Sequence, residues 1–136
     1  MVAIPPGPGI DEALRRWAAC GATPVAEVLL DQHVVAGIGT IFMAESLFAL
    51  RLWPWTPADE VRDPARVLRT ARRLMSESVR LRTPPGRVHA REGLRCVRCG
   101  GLVARGQARR PPMQRPGFWC PRCPAAPPRP SSSAPP

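Results

Sequence analysis

The sequence has no lysine, and all twenty of its basic residues are arginine, against ten acidic residues. The lack of lysine leaves no side-chain amine that could form a Schiff base with a carbonyl compound. An arginine fork matches the oxygens of a phosphate group in pairs, so the formal net charge of +10 points to nucleic acid before membrane. A GC-rich genome would also replace lysine by arginine, but it would not explain why basic residues outnumber acidic ones.

The sequence also lacks an apolar run long enough to span a bilayer, and it lacks a secretory signal. Its first nine residues, Met-Val-Ala-Ile-Pro-Pro-Gly-Pro-Gly, have neither a basic start nor an apolar centre. We therefore expect a cytoplasmic, nucleoid-associated protein. Residues 1–10 are expected to form a flexible leader, and the proline- and serine-rich residues 124–136 a disordered tail.

Four of the five cysteines form two Cys-x-x-Cys knuckles, Cys96-Val-Arg-Cys99 and Cys120-Pro-Arg-Cys123, which are separated by twenty residues. Each knuckle sets two thiolates on one tight turn, and the residues between the knuckles are expected to fold back as a hairpin. Soft thiolates select zinc or iron–sulfur over hard cations. Four cysteines could instead make two disulfides, but nothing in the sequence indicates secretion. We predict one structural Zn²⁺, bound by Cys96, Cys99, Cys120 and Cys123.

The region from Cys96 to Cys123 carries charge of one sign. It has no acidic residue and six arginines: Arg98, Arg105, Arg109, Arg110, Arg115 and Arg122. Such a hairpin attracts a polyanion. Phe118 and Trp119, beside the third cysteine, are expected to form the small core of the hairpin, with a base-stacking platform as the alternative.

Capping signals predict four helices before the knuckles. The first runs from Asp11, its N-cap, to Cys20, with Gly21 at the stop position, and the second starts at Thr23-Pro24, with Thr23 as N-cap. The third runs from Ile41 to about Leu52, and the fourth from Asp63-Pro64 to about Leu81. The lone Cys20 is expected to be a small core residue. The predicted buried stripe of the last helix is Val67, Leu68, Ala71, Leu74, Met75 and Val79. Its arginines (Arg66, Arg69, Arg72, Arg73 and Arg80) fall largely off that stripe, which favours a solvated basic face over a DNA contact.

A glycine turn precedes the third helix. Gly37 and Gly39 can adopt positive φ and let the backbone approach another molecule closely, and Thr40 can cap the helix that follows. The free N–H groups and the dipole at such a helix start make an anion site. Taken alone this is weak evidence, since most turns of this kind merely connect helices.

Two stretches together resemble the formamidopyrimidine-DNA glycosylase / endonuclease VIII family. The stretch from Leu29 to Phe48, Leu-Leu-Asp-Gln-His-Val-Val-Ala-Gly-Ile-Gly-Thr-Ile-Phe-Met-Ala-Glu-Ser-Leu-Phe, resembles that family's helix–two-turn–helix signature. Arg91-Glu-Gly-Leu-Arg-Cys-Val-Arg-Cys-Gly100 and Phe118-Trp-Cys-Pro-Arg-Cys123 resemble the entry to its zinc finger and the exit from it. Trp53-Pro-Trp-Thr-Pro57 is most similar to the actinobacterial endonuclease VIII branch. The similarity runs from about Asp11 to Cys123.

The resemblance implies a mainly α fold, in which a helix–two-turn–helix domain (11–85) is followed by a zinc-finger hairpin (86–123). It implies that Gly37, Gly39 and Thr40 clamp a phosphate of double-stranded DNA beside a damaged base or an abasic site. Thr40 stands where the family usually has asparagine. Arg115 matches the hairpin arginine that the family inserts at the lesion, with Arg109 and Arg110 as competitors for that role. Glu45 matches a family glutamate, for which support of the loop is favoured over catalysis.

Family members excise damaged bases and then cut the DNA at the abasic site. They use an N-terminal proline as the nucleophile and a following glutamate, on a separate β-sandwich domain. This chain begins Met1-Val2-Ala3 and has neither the Pro-Glu pair nor that domain before its helices. We therefore expect no catalytic residue here and an inactive chain on its own, with a partner chain as one source of the missing half.

Three hypotheses follow. The main one is the DNA-binding half of a repair glycosylase and abasic-site lyase, whether as a truncated gene product or as part of a split enzyme. The alternative is a stand-alone, non-catalytic zinc protein that binds DNA. An unrelated zinc ribbon of transcription or translation would leave the Leu29–Phe48 signature unexplained.

Overall fold

A computed structural model of the protein describes residues 8–108 and 114–123. These residues form a mainly helical bundle followed by a small antiparallel hairpin, so the predicted fold class is confirmed. The helices are α1 (Pro8–Ala18), α2 (Val25–Leu30), α3 (Thr40–Ala49) and α4 (Pro64–Leu81), with one 3₁₀ turn at Ala58–Glu60, and the strands are β1 (Ala104–Gln107) and β2 (Pro116–Trp119). The predicted tail at 124–136 lies outside the described residues, as do the first seven residues of the predicted leader.

Helix α1 begins at Pro8, three residues before the N-cap predicted at Asp11. The side chain of Ile10 is buried in the core, and this tertiary contact favours helix in residues whose local composition does not. Residues 8–10, which the sequence assigned to the leader, therefore belong to α1. At the other end, Gly21 adopts a left-handed φ of 57°, as its predicted place after the helix requires.

Of the remaining helix caps, only the last follows the sequence pattern. The Asp63 carboxylate accepts a hydrogen bond from the backbone N–H of Arg66 at 3.1 Å, and Pro64 opens α4. The prediction for Thr23 is wrong, because its hydroxyl donates to the Cys20 carbonyl oxygen at 2.7 Å and closes the preceding turn instead. The prediction for Thr40 as a cap is also wrong, since Gly39 is the N-cap and no side chain caps α3.

Helix α4 packs against α1 and α3 along one side. Most of the predicted stripe is buried, including Val67, Leu68, Ala71 and Met75, whereas Leu74 is only half-buried. The stripe is wrong at its end: Val79 is 64% exposed, because the last turn of α4 extends beyond the elements that cover the rest of the helix. Within the described residues, no helix combines the length and apolar character needed to cross a bilayer.

The hairpin shares its core with the helices. Strands β1 and β2 pair in antiparallel register, with Ala104 opposite Trp119, and β2 packs on α3. The ring of Trp119 meets that of Trp55 edge to face at 5.5 Å, and the ring of Phe118 meets His89 at 4.9 Å. Both hairpin aromatics are buried, so the predicted core role is favoured over base stacking.

Candidate metal centre and nucleic-acid interface

The four knuckle cysteines converge at the base of the hairpin. The sulfur of Cys96 lies 3.5 Å from that of Cys123, and the sulfur of Cys99 lies 3.3 Å from that of Cys120. All four sulfurs lie within 4.8 Å of one another. Three of the cysteines are buried and Cys99 is exposed, so the centre lies close to the surface. The structure thus brings together all four predicted ligands.

Backbone N–H groups point at the first knuckle's sulfurs. Arg98 N–H donates to the Cys96 sulfur and Gly101 N–H to the Cys99 sulfur, both at 3.4 Å. Burial alone would raise the pKa of Cys96, but the backbone N–H groups of Arg98 and Cys99, together with the thiols of Cys123 and Cys120, outweigh it and lower that pKa to about 6. Burial is the largest cause that raises the pKa of Cys120 and of Cys123. A cation among the four sulfurs would favour the thiolate form at these two positions.

This donor set fits a single four-coordinate metal ion. A tetrahedral centre with zinc–sulfur bonds of about 2.3 Å places its sulfurs roughly 3.8 Å apart. The observed closest approaches and the outer limit of 4.8 Å lie on either side of that value. Four soft sulfur ligands disfavour hard cations such as Mg²⁺ and Ca²⁺. The cluster can therefore hold a metal ion of the thiolate-binding group.

The glycine turn predicted to bind an anion, residues 37–40, lies at the N-terminus of α3, whereas the metal cluster lies toward the other end of that helix. We call these residues the anion turn. Gly37 has a left-handed φ of 95°, as expected for a glycine that shapes a turn. Its N–H donates to the Gln32 side-chain oxygen at 3.0 Å, and the Gln32 side-chain nitrogen donates to the Ile38 carbonyl oxygen at 3.4 Å. Gln32 thus braces the turn from both sides. Sequence reasoning missed it, because one polar residue before a glycine loop carries no distinctive signal.

Gly39 contributes space rather than an unusual backbone conformation. Its φ of −100° is open to any residue, so Gly37 uses the positive φ that glycine allows and Gly39 does not. Gly39 is exposed, and a Cβ built there would meet no atom within 4 Å. The lack of a side chain at Gly39 therefore leaves the outer surface of the turn bare, with space for another molecule to approach the backbone.

The first turn of α3 presents free hydrogen-bond donors beside Gly39. Met43 N–H bonds to the Gly39 carbonyl oxygen at 2.9 Å, whereas the N–H groups of Thr40, Ile41 and Phe42 have no partner in the described part of the chain. Together with the positive end of the helix dipole, these donors favour an anion.

Arg115 lies toward the same end of α3 as this turn. Gly117 of β2 lies against Met43 in the first turn of α3, while Cys120 lies with Leu47 farther along the helix. Strand β2 therefore runs beside α3 with its start toward the N-terminus of the helix. Arg115 immediately precedes that strand and is exposed, and its guanidinium donates to the neighbouring carbonyl oxygen of Gln114 at 3.1 Å. Its competitors, Arg109 and Arg110, lie outside the described residues.

Glu45, in the middle of α3, is buried with 2% of its surface exposed. Its carboxylate accepts hydrogen bonds from three consecutive backbone N–H groups, those of Arg87 at 3.1 Å, Val88 at 2.8 Å and His89 at 2.8 Å. These residues connect α4 to the metal knuckles. Glu45 therefore fixes the path of the connection, in agreement with the supporting role that was favoured for it.

One knuckle arginine turns inward. The Arg98 guanidinium donates to the Phe48 carbonyl oxygen near the end of α3 and stacks 3.9 Å from the centre of the Phe48 ring. The Arg98 guanidinium is therefore engaged within the protein and does not point outward toward a polyanion. Residue spacing carries no signal of this contact, because the partner lies fifty residues earlier in the chain. Arg105 and Arg122 are exposed, as expected.

The sequence of the chain is similar to that of known proteins. Residues 10–85 match the family described as the formamidopyrimidine-DNA glycosylase H2TH domain, where H2TH denotes helix–two-turn–helix. The chain is 37% identical over 111 residues to the Mycobacterium tuberculosis protein named Endonuclease 8 2, a match that covers 74% of this chain. It covers only 42% of that relative, so the chain spans less than half of the relative's length. The similarity to the actinobacterial branch is confirmed.

Solved structures give the same result for the fold. The crystal structure of the MutM (Fpg) protein from Thermus thermophilus matches with a TM-score of 0.71 and 30% identity over 90% of this chain and 53% of that one. The Lactococcus lactis formamidopyrimidine-DNA glycosylase, bound non-covalently to DNA that contains an abasic site, matches with a TM-score of 0.74 over 93% of this chain and 50% of that one. Its identity of 19% is evidence for a shared fold only.

Proposed function

Because the chain belongs to the formamidopyrimidine-DNA glycosylase family through its H2TH domain, we propose that it is the DNA-binding half of a base-excision-repair glycosylase and abasic-site lyase. The partner we propose is double-stranded DNA that carries a damaged base or an abasic site. Within the chain, we assign DNA binding to a helical domain at residues 11–85 and to a zinc-finger hairpin at 86–123. We place the protein in the cytoplasm with the nucleoid, where this substrate is found.

The observation that carries the proposal is the bare anion turn at the start of α3. A phosphate of the DNA backbone matches its free N–H donors in charge and in hydrogen bonding. We assign Gly39 to close backbone approach and Gly37 to the shape of the turn. The Thr40 hydroxyl, which has no hydrogen-bond partner among the described residues, is assigned to a further phosphate contact. Arg115 extends the same side of the molecule toward the DNA with a charged group.

We propose that the metal ion is Zn²⁺ and that its role is structural. Four thiolates leave no open coordination position for a water molecule or a substrate, which is typical of structural zinc. The ion would hold the two knuckles together and so fix the hairpin that carries Arg115. The residues that would bind it are the four cysteines of the cluster, with the Arg98 and Gly101 N–H groups as a second layer of hydrogen bonds.

We assign base excision and strand cleavage to the part of the longer relatives that this chain does not match. The Mycobacterium tuberculosis relative is more than twice as long as its matched region, since the match covers 42% of it. In this assignment the present residues bind and position the DNA, and a catalytic half supplies the nucleophile, within one longer chain or from a partner chain. The alternative, a stand-alone DNA-binding protein, requires the same turn and hairpin but no catalytic partner.

The test is Gly39→Ala, with Gly86→Ala as the matched control. Both glycines are exposed, and a Cβ at either would meet nothing within 4 Å in the protein itself. A methyl group at position 39 would hinder a bound phosphate, so we expect binding of a short duplex that contains an abasic-site analogue to weaken at least ~10-fold, or ~1.4 kcal/mol. Fluorescence anisotropy of labelled DNA would measure this.

The control variant should bind that duplex as tightly as the unmodified protein. Alanine is a poorer N-cap than glycine, so the thermal stability of the Gly39→Ala protein should be measured beside its DNA affinity. Unchanged DNA affinity in a folded Gly39→Ala protein would show that the turn is not the phosphate site. Equal binding of intact and abasic duplexes by the unmodified protein would remove lesion recognition from the proposal and favour general DNA binding.

A further inference from the structure

Helix α4 carries a straight row of arginines on its outer side. Arg66, Arg69, Arg73 and Arg80 follow the spacing i, i+3, i+7 and i+14, which places them within an arc of about 60° on a helix of 3.6 residues per turn. All four are exposed, and the row is about 21 Å long at 1.5 Å per residue. We call these four residues the arginine row.

Little negative charge lies near the row to neutralise it. The one acidic residue of α4, Glu77, pairs with Arg73 at 3.5 Å. Arg66, Arg69 and Arg80 have no ionic partner among the described residues. The Asp63 carboxylate next to Arg66 is already used to cap the helix. Three of the four arginines in the row therefore carry positive charge that no described acidic residue neutralises.

The arginine row faces away from the anion turn. The opposite side of α4, which includes Leu68 and Met75, packs against α1 and α3. A ligand on the row is thus bound by a different face of the molecule from a ligand at the N-terminus of α3. The apolar side of α4 is also committed to the core, so the helix cannot insert that side into a lipid surface as a membrane-bound amphipathic helix does.

We propose that the arginine row binds the phosphate backbone of a second segment of duplex DNA, apart from the segment held at the anion turn. The arginine fork matches phosphate oxygens in pairs, and the row spans about six base pairs at 3.4 Å of rise per base pair. One chain can then bridge two duplexes, or hold one duplex while it reaches another. This inference rests on the proposed DNA binding but concerns a separate surface.

The test compares R66Q/R69Q with R15Q/R16Q in the full zinc-loaded chain. Each double variant removes two positive charges from exposed helical arginines. Arg15 and Arg16 both pair with Glu12 and lie on α1, so they serve as the matched control. Native mass spectrometry and sedimentation at low salt would count the duplexes of about twelve base pairs bound per chain.

We expect two duplexes per chain for the unmodified protein and for the α1 control, but one for R66Q/R69Q. At high duplex concentration R66Q/R69Q should bind the second duplex again, but more weakly. A plot of the logarithm of this second affinity against the logarithm of salt concentration should have a slope smaller by about 2, because each neutralised phosphate contributes roughly 0.9. Far-UV circular dichroism should be unchanged, because both positions are exposed.

Three results would overturn the inference. They are a single duplex bound by the unmodified protein, two duplexes bound by R66Q/R69Q with an unchanged salt slope, and equal losses in both double variants. Binding of anionic phosphatidylserine vesicles through the row in preference to DNA would assign the surface to membranes instead. The Gly39→Ala variant separates this inference from the proposed function. If that variant still binds two duplexes, the turn assignment fails, while loss of one duplex in R66Q/R69Q would still support the arginine row.

Discussion

At the scale of single residues, the buried carboxylate of Glu45 depends on hydrogen bonds from the protein because water cannot reach it. It accepts three backbone N–H groups from residues 87–89, and a carboxylate has enough lone pairs to satisfy all three. In a Glu45→Gln protein, one carbonyl oxygen would have to serve those donors, and the new NH₂ group would face them without an acceptor. We expect a loss of roughly 2–4 kcal/mol in the free energy of unfolding, measured by urea denaturation.

The control for this change is Glu77→Gln, the same substitution on a partly exposed helical glutamate. Glu77 has only a surface ion pair with Arg73, at 3.5 Å, so its loss should change the free energy of unfolding by no more than about 0.5 kcal/mol. If the two variants unfolded at the same urea concentration, the three hydrogen bonds to Glu45 would not hold the connection to the knuckles.

Local sequence predicted some single-residue roles and missed others, for one physical reason. The four cysteines and the left-handed Gly37 carry their own signal, because ligand spacing and backbone conformation are properties of a short stretch. The role of Gly39 comes from the open space around it and not from a positive φ. That space depends on what the rest of the chain leaves uncovered, which a short stretch of sequence does not show. The inward direction of Arg98 likewise depends on Phe48, which is distant in sequence.

At the scale of elements, Arg98 joins the metal-binding hairpin to helix α3. Its guanidinium both donates to the Phe48 carbonyl oxygen and stacks on the Phe48 ring at 3.9 Å. Arg98→Gln removes the charge and the stacking, so we expect the zinc-loaded protein to lose about 1–3 kcal/mol of stability. Hydrogen–deuterium exchange should become faster at the backbone of β2 and at the end of α3.

The other knuckle supplies the matched control, Arg122→Gln. Arg122 stands between Cys120 and Cys123 as Arg98 stands between Cys96 and Cys99, but its side chain is exposed and lies along Gly101. Its replacement should leave exchange in α3 unchanged. If α3 lost protection from exchange equally in the two variants, the charge of the knuckles, and not the contact with Phe48, would stabilise the packing of the hairpin on α3.

The helices themselves were largely predictable, and their ends were less so. Apolar spacing and the Asp63-Pro64 signal predicted α4 and its cap, because both depend on residues within one helical turn. The caps at Thr23 and Thr40 were wrong, since a hydroxyl has several nearby backbone partners and the sequence does not rank them. Val79 was assigned to the core because its position fits the spacing, but the neighbouring elements end before it.

At the scale of the whole molecule, the helices and the hairpin form a single hydrophobic core. Buried residues from α1 to the last knuckle belong to one contiguous cluster, which includes Trp17, Met43, Trp55 and Phe118. The sequence predicted the hairpin and the helical bundle separately, as consecutive elements. It did not predict how β2 docks on α3, because that packing joins residues about seventy positions apart and leaves no periodic pattern.

This shared core predicts that removal of the metal ion destabilises the helices as well as the hairpin. A chelator would leave the raised-pKa thiols of Cys120 and Cys123 protonated and the knuckles untied, and the contacts of Trp119 and Arg98 with the helical part would weaken. We expect the helical signal at 222 nm and the tryptophan fluorescence to report one coincident thermal transition, whose midpoint falls by roughly 10 °C for a loss of about 2–3 kcal/mol.

Two cysteine variants complete the experiment. Cys120→Ser should reproduce the lower midpoint without a chelator, whereas Cys20→Ser should unfold like the unmodified protein and remain sensitive to the chelator. Cys20 lies outside the cluster, and its sulfur donates to the Arg16 carbonyl oxygen, a bond that serine can also make. An unchanged helical midpoint after metal removal, with loss of the hairpin alone, would show two independent units. A coincident shift would instead mean that the metal centre at one end of α3 helps to hold the anion turn at the other end in place.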